Sequence, residues 1–136
     1  MTAVRTALAA QITANVTGLR ATALMAGAPN PPTAVIIPAR GTFLDYTVTL
    51  ETGVADYALE VVLLVSYADE RAAQNQLDSY LATTGAASVP AAILKDPSLG
   101  GVVDYVTPES AVDYGLIEWA GVQFLSARIL VTVGTK

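Results

Sequence analysis

The chain has 136 residues, enough for one domain with a substantial core, and a net charge of −5. It contains neither cysteine nor histidine, which excludes disulfides and thiolate metal sites and removes the commonest general base, nucleophile activator and metal ligand. Charged residues make up 14% of the chain and apolar ones 53%; an average soluble domain is about a quarter charged, so either many small alanines sit on the surface or, as expected from the plentiful Val, Ile and Leu, some apolar surface is covered by contacts between subunits.

Residues 2–24 read as an amphipathic helix, with Val4, Leu8, Ile12, Val16 and Leu19 in one stripe and Thr2 as cap. Gly18 weakens its late turns, so its end is expected between Gly18 and Ala26. Ala28-Pro29-Asn30-Pro31-Pro32 stops the helix and makes a stiff extended linker. Ala34-Val35-Ile36-Ile37 is a short strand, and the prolines on either side point to a sheet edge. Arg40-Gly41 turns the chain. Residues 42–51 alternate, with Leu44, Tyr46, Val48 and Leu50 facing one way, as in an antiparallel strand with one solvated face. A hairpin loop over residues 52–56 follows.

The central strand begins at Tyr57. Its middle, Val61-Val62-Leu63-Leu64-Val65, is too apolar for a surface and is expected to be covered on both faces. Asp69 is the expected cap of the next helix, Glu70 suits its positive end, and Ala73, Leu77, Tyr80 and Leu81 form its core stripe. Thr83-Thr84-Gly85 stops it. Ser88 caps a second, short helix with Pro90 in its first turn, ended by Asp96-Pro97. After the tight turn Leu99-Gly100-Gly101, residues 102–106 read as a strand and Thr107-Pro108-Glu109-Ser110 as a turn. Residues 111–120 read as a strand bulged at Gly115, Ala120-Gly121 as a turn and residues 122–133 as the last strand. The predicted order is α–β–β–β–α–α–β–β–β in a single domain over residues 1–136.

The charges are segregated. All twelve acids lie between Asp45 and Glu118, where only Arg71 and Lys95 offset them, a net −10. Arg5, Arg20 and Arg40 precede that stretch; Arg128 and Lys136 follow it. Basic ends around an acidic middle reflect chance and solubility or suit head-to-tail contacts between copies. Overall acidity argues against tight nucleic-acid binding, which needs clustered Lys and Arg on phosphates. No stretch reaches the ~18 apolar residues of a membrane span. Gln11, Thr13, Asn15 and Thr17 interrupt the start too often for a signal peptide, so synthesis and retention in a cytoplasm are expected.

Chemical motifs are scarce. Neither G-x-x-x-x-G-K-[ST] nor G-x-G-x-x-G occurs, nor a G-x-S-x-G elbow. Asp104, Asp113 and Glu118 fall on the two expected strands of a hairpin over residues 102–120, where a close pair would make an acid/base site; solvated strand faces carry such residues routinely. Capping explains Asp69 and Glu70 better than metal ligation does. No catalytic, cofactor-binding or metal-ligating residue is assigned. Tyr105, Tyr114 and Trp119 place three aromatics on the same hairpin, as core or as anchors of a subunit interface. Arg40 and Arg128 read as strand-end charges, as channel-lining residues or as partners of an acidic neighbour.

In the order and texture of its segments the chain resembles the tail terminator proteins of long-tailed bacteriophages, particularly those of actinobacteria. The resemblance covers nearly the whole chain. It runs from the N-terminal helix through Asn30-Pro31-Pro32, Ala34-Val35-Ile36-Ile37 and the apolar strand to Ala72-Ala73-Gln74-Asn75-Gln76-Leu77-Asp78-Ser79-Tyr80-Leu81, and on through Ser88-Val89-Pro90-Ala91-Ala92-Ile93-Leu94, Asp96 and Leu99-Gly100-Gly101. It implies an α+β fold, a mixed or mostly antiparallel sheet with the N-terminal helix and the central helix pair packed against it. It also implies a non-enzymatic structural virion protein of the tail and neck, assembled in the host cytoplasm. Such a protein forms a hexameric ring on the tail tube protein, ends tube polymerisation and meets the head–tail connector or stopper protein. Genomic DNA passes through the ring without specific binding, and an acidic bore would let it slide. The alternatives are another neck protein, such as a stopper or head completion protein, or a small-ligand-binding or carboxylate-using α+β domain.

Overall fold

Helix α1 spans Thr2–Asn15 and is shorter than the pattern predicts. Gly18 takes φ 79, the left-handed region that glycine enters without a Cβ clash. The chain then leaves helix for a three-residue strand, β1, Arg20–Thr22. The apolar stripe survives this change: Val4, Leu8, Ile12, Val16 and Leu19 are all buried, the last two from the turn rather than the helix. Thr13 on α1 accepts the Ala21 N–H at 3.0 Å, tying β1 to the helix. The computed structural model describes residues 2–16, 18–23, 32–38, 55–67, 70–101, 103–119 and 121–135. Arg40, the Asp69 cap, most of the proline linker and the expected strand over residues 42–51 lie outside them.

Strand β2, Thr33–Pro38, runs parallel to β1 and antiparallel to β3, Ala55–Ser66. It is therefore not the outermost strand that its prolines imply. The proline rule is respected locally instead: Pro38 pairs with Leu59 of β3, beyond the Thr33–Val35 stretch that β1 lines. β3 is enclosed on both edges, by β2 and by β5, Val122–Thr135. All five residues from Val61 to Val65 are fully buried. Val61, Leu63 and Val65 join the helix-side core, and Val62 and Leu64 pack on the other face with Val35 and Phe124. Coverage on both faces is what their uniform apolarity predicts.

Helix α2, Glu70–Leu81, buries Ala73, Leu77 and Tyr80, with Leu81 partly buried against the same core. Helix α3, Val89–Leu94, starts at Ser88, whose hydroxyl accepts the Ala91 N–H at 3.1 Å, with Pro90 in the first turn. Residues 105–119 depart most from expectation. The proposed turn at Thr107-Pro108-Glu109-Ser110 is absent, and Tyr105–Trp119 forms one strand, β4, paired with β5 from end to end except at Glu109, Asp113 and Tyr114. The turn-forming residues are absorbed by register shifts between Pro108 and Ser110 and between Val112 and Gly115, which an outer strand tolerates. Trp119 pairs with Val122 across the expected two-residue turn, where Gly121 has φ 80. The fold is α+β: a mixed sheet in the order β1-β2-β3-β5-β4, with the helices on one side.

Candidate functional site

Among the described residues β4 is the terminal strand of the sheet, and it holds every residue singled out for chemistry or contact after Asp104 and before Val122. Because residues 105–119 are one strand and not a hairpin, Asp104, Asp113 and Glu118 are spread along it. At about 3.3 Å per residue, Asp104 stands on the order of 30 Å from Asp113, and Asp113 on the order of 15 Å from Glu118. A shared-proton carboxylate site is thereby ruled out for these three. Among the described residues no group of His, Cys, Asp and Glu is placed to hold a metal ion, and no helix is long and apolar enough to cross a membrane.

The aromatics are separated too. Tyr105 lies opposite Gly134 on β5, and a Cβ added at Gly134 would sit 2.0 Å from its ring, so the glycine is the seat of the tyrosine. Tyr114 lies in the second irregular stretch, where its neighbour Asp113 has φ 56. Its hydroxyl donates to Asp78 Oδ1 on α2 at 3.0 Å. Partial burial first, then the bond to that carboxylate and its charge, hold the Tyr114 hydroxyl above the ordinary tyrosine range. Trp119 packs on the opposite face, against the cluster of Val35, Val62, Leu64 and Phe124. Tyr105 and Tyr114 are 38% and 46% exposed, whereas Trp119 is half-buried. The three form no single aromatic patch.

Two features escape sequence reading. Leu116 and Val122 are about half exposed beside Tyr114 and Trp119; neither is singled out in the strand patterns over residues 111–120 and 122–133. On the face away from the helices, Arg128 donates to Glu60 Oε2 at 2.8 Å, and Asp113 Oδ2 stands 3.8 Å from its Nε. Arg128 is therefore neither a strand-end charge nor free to line a channel: it meets an acidic neighbour in mid-sheet. Glu60 is 5% exposed, so this pair is a structural element under the sheet surface rather than a reactive centre.

An open groove of about 330 Å³ lies on the helix side between α2, α3 and β4, walled by Leu81, Pro90, Leu94, Pro108 and Ile129. Its one carboxylate, Glu109, accepts a bond from Thr132 at 2.8 Å. Largely apolar walls with two hydroxyls, Thr83 and Ser110, and a single, committed carboxylate can hold a side chain of a partner but offer no acid/base pair. In comparisons with known proteins, no family model and no curated protein matches the chain.

Proposed function

We propose that this chain is a structural subunit of a bacteriophage tail, forming the ring that caps the tail tube, ends its polymerisation and meets the head connector. The observation that carries this reading is β4: fifteen residues long, the outermost strand on its side of the sheet among the described residues, with Tyr105, Tyr114 and Leu116 exposed along it. A terminal strand with large apolar side chains at the surface is built for contact with another protein. The α+β architecture and the α2–α3 pair agree with the tail-terminator resemblance. Ring subunits also need broad side contacts, which account for a chain only 14% charged. The acidic stretch from Asp45 to Glu118 supplies carboxylates for a bore that repels phosphates and lets DNA pass.

The test is location. Gold-labelled antibody against this chain should mark one band per virion, between tail tube and neck, and the purified chain should cap isolated tail tubes as a single ring. Label spread along the tube, or no affinity for tube ends, refutes the reading.

A further inference from the structure

β4 meets β5 in three successive registers. Tyr105–Pro108 pair in the first, Ser110–Val112 one residue further on, and Gly115–Trp119 one further still. Glu109 forms the first bulge; Asp113 and Tyr114, set against Ala127 alone, form the second. The two outer stretches are pinned. Tyr105 is seated on Gly134, Val106 is buried, and Trp119 packs in the cluster of Phe124. The three residues between the bulges are not: Ser110 and Ala111 are exposed, and Val112 is half-buried.

The pairing of this middle stretch is poorly matched. Val112 stands opposite Arg128, while Asp113 reaches the same guanidinium only at 3.8 Å. Asp113 does so with φ 56, a backbone state that glycine enters freely and aspartate at a cost. Ala111 stands opposite Ile129 on the helix side, and the larger Val112 faces away. Moving residues 111–114 by one position, into the register of Gly115–Trp119, corrects each point. Asp113 then lies across from Arg128 and Val112 across from Ile129, both favourable cross-strand pairs. Asp113 regains extended backbone. Tyr114 lies across from Ala127, still on the side of α2, where Asp78 accepts its hydroxyl. Residues 111–114 make four pairs where residues 110–112 now make three. The cost is one wider bulge, of exposed Glu109 and Ser110, beside Pro108.

We propose that residues 111–114 exchange between these two registers, and that the slip remodels the groove between α2, α3 and β4. A one-residue slip turns side chains to the opposite face of the sheet. Ala111 therefore leaves the groove wall that it shares with Leu94, and Val112 takes its place. The groove is wide in the observed register and narrower in the second. An occupant that needs the wide form holds β4 in the observed register, because it binds only that one of the two states. Neither Tyr105 nor Trp119 moves, so the change is confined to the middle of the strand.

The absence of cysteine makes the test direct. Cysteine pairs are introduced and joined with a short thiol cross-linker well below the melting temperature, after circular dichroism has shown that each variant folds. Ser110→Cys with Leu130→Cys reports the observed register. Ala111→Cys with Leu130→Cys reports the second, because these side chains lie on opposite faces in the first. Thr107→Cys with Val133→Cys, on opposite faces in both registers, sets the background from wider opening. The Ala111 pair should link faster than that background. Asp113→Gly, which removes the strain of the observed register, should slow it about fivefold and leave the Ser110 pair unchanged. Val112→Cys should link to Leu94→Cys across the groove. An Ala111 pair no faster than background, or indifferent to Asp113→Gly, overturns the exchange. Linking of the Ala111 pair without linking of Val112 to Leu94 overturns the remodelling of the groove.

Discussion

Strands β3 and β4 are both long, at twelve and fifteen residues, and both carry branched and aromatic side chains. In β3 every residue from Val61 to Val65 is fully buried, whereas in β4 only Val106 is buried. β3 has a strand on each edge and apolar packing on each face; β4 has β5 on one edge and, among the described residues, no strand on the other. Strand-forming residues made both elements, but neighbours decide what each one does. Burial of five β3 side chains contributes on the order of 10 kcal/mol before chain entropy is set against it, a figure comparable to the net stability of a whole domain. β4 contributes less to stability and more to the surface.

The comparison can be broken most forcefully at Leu63. Leu63→Asp places an unpaired charge in a fully buried position between Ala34 and Ala127, and the chain should fail to fold, read as loss of a cooperative thermal transition by circular dichroism. A near-normal melting temperature would show that β3 is not central. Arg128→Leu comes next. It leaves the Glu60 carboxylate buried and unpaired, and urea unfolding should show a loss of about 3–5 kcal/mol. Replacing Glu60 by Leu as well should recover most of it.

Two substitutions then divide β4 itself. Trp119→Ala removes half-buried packing on Phe124 and its neighbours and should cost about 2 kcal/mol. Leu116→Ser should stay within about 0.5 kcal/mol of the parent while weakening self-association in sedimentation runs. A large stability loss at Leu116 would place it with the core and erase the contrast between the strands.

The smallest effect lies outside both strands. Asp96 accepts the Ser98 hydroxyl at 2.8 Å and the Gly100 N–H at 2.8 Å, and these bonds, the hydroxyl first, hold its carboxyl below the ordinary aspartate range. Its folded pKa being depressed, the stabilisation is present above the unfolded value and is lost as pH falls through the folded one. Asp96→Asn should therefore melt slightly earlier at neutral pH, with the gap closing in acid. A gap that widens in acid contradicts the assignment.

Much of the sheet's centre was legible because local and global signals agree there. The run from Val61 to Val65, the Ala73, Leu77 and Tyr80 stripe, and the Ser88 cap with Pro90 each satisfy local preference and core position at once. Both ends of the chain's logic were harder to read. Arg20–Thr22 continues a helical stripe in sequence but is drawn into strand by parallel pairing with β2. Pro108 and Gly115 look like breaks, yet the strand crosses both by shifting register. The Glu60–Arg128 pair joins residues 68 positions apart, and nothing local announces it. Of the candidate contact residues, the aromatics were visible as residue types, but their three separate settings depend on where β4 pairs with β5.

The place of β5 between β3 and β4 has a consequence for the order of events during synthesis. When Val61 to Val65 leave the ribosome, the strand that will cover their second edge is not yet made. It begins only at Val122. β4 and β5, joined by a two-residue connection, can form a ribbon from local contacts and dock as a unit. Until that docking, the most apolar stretch of the chain has an open flank, and nascent chains are most open to misassembly with one another at that stage. The step that completes the core is thus also the step that ends this exposure.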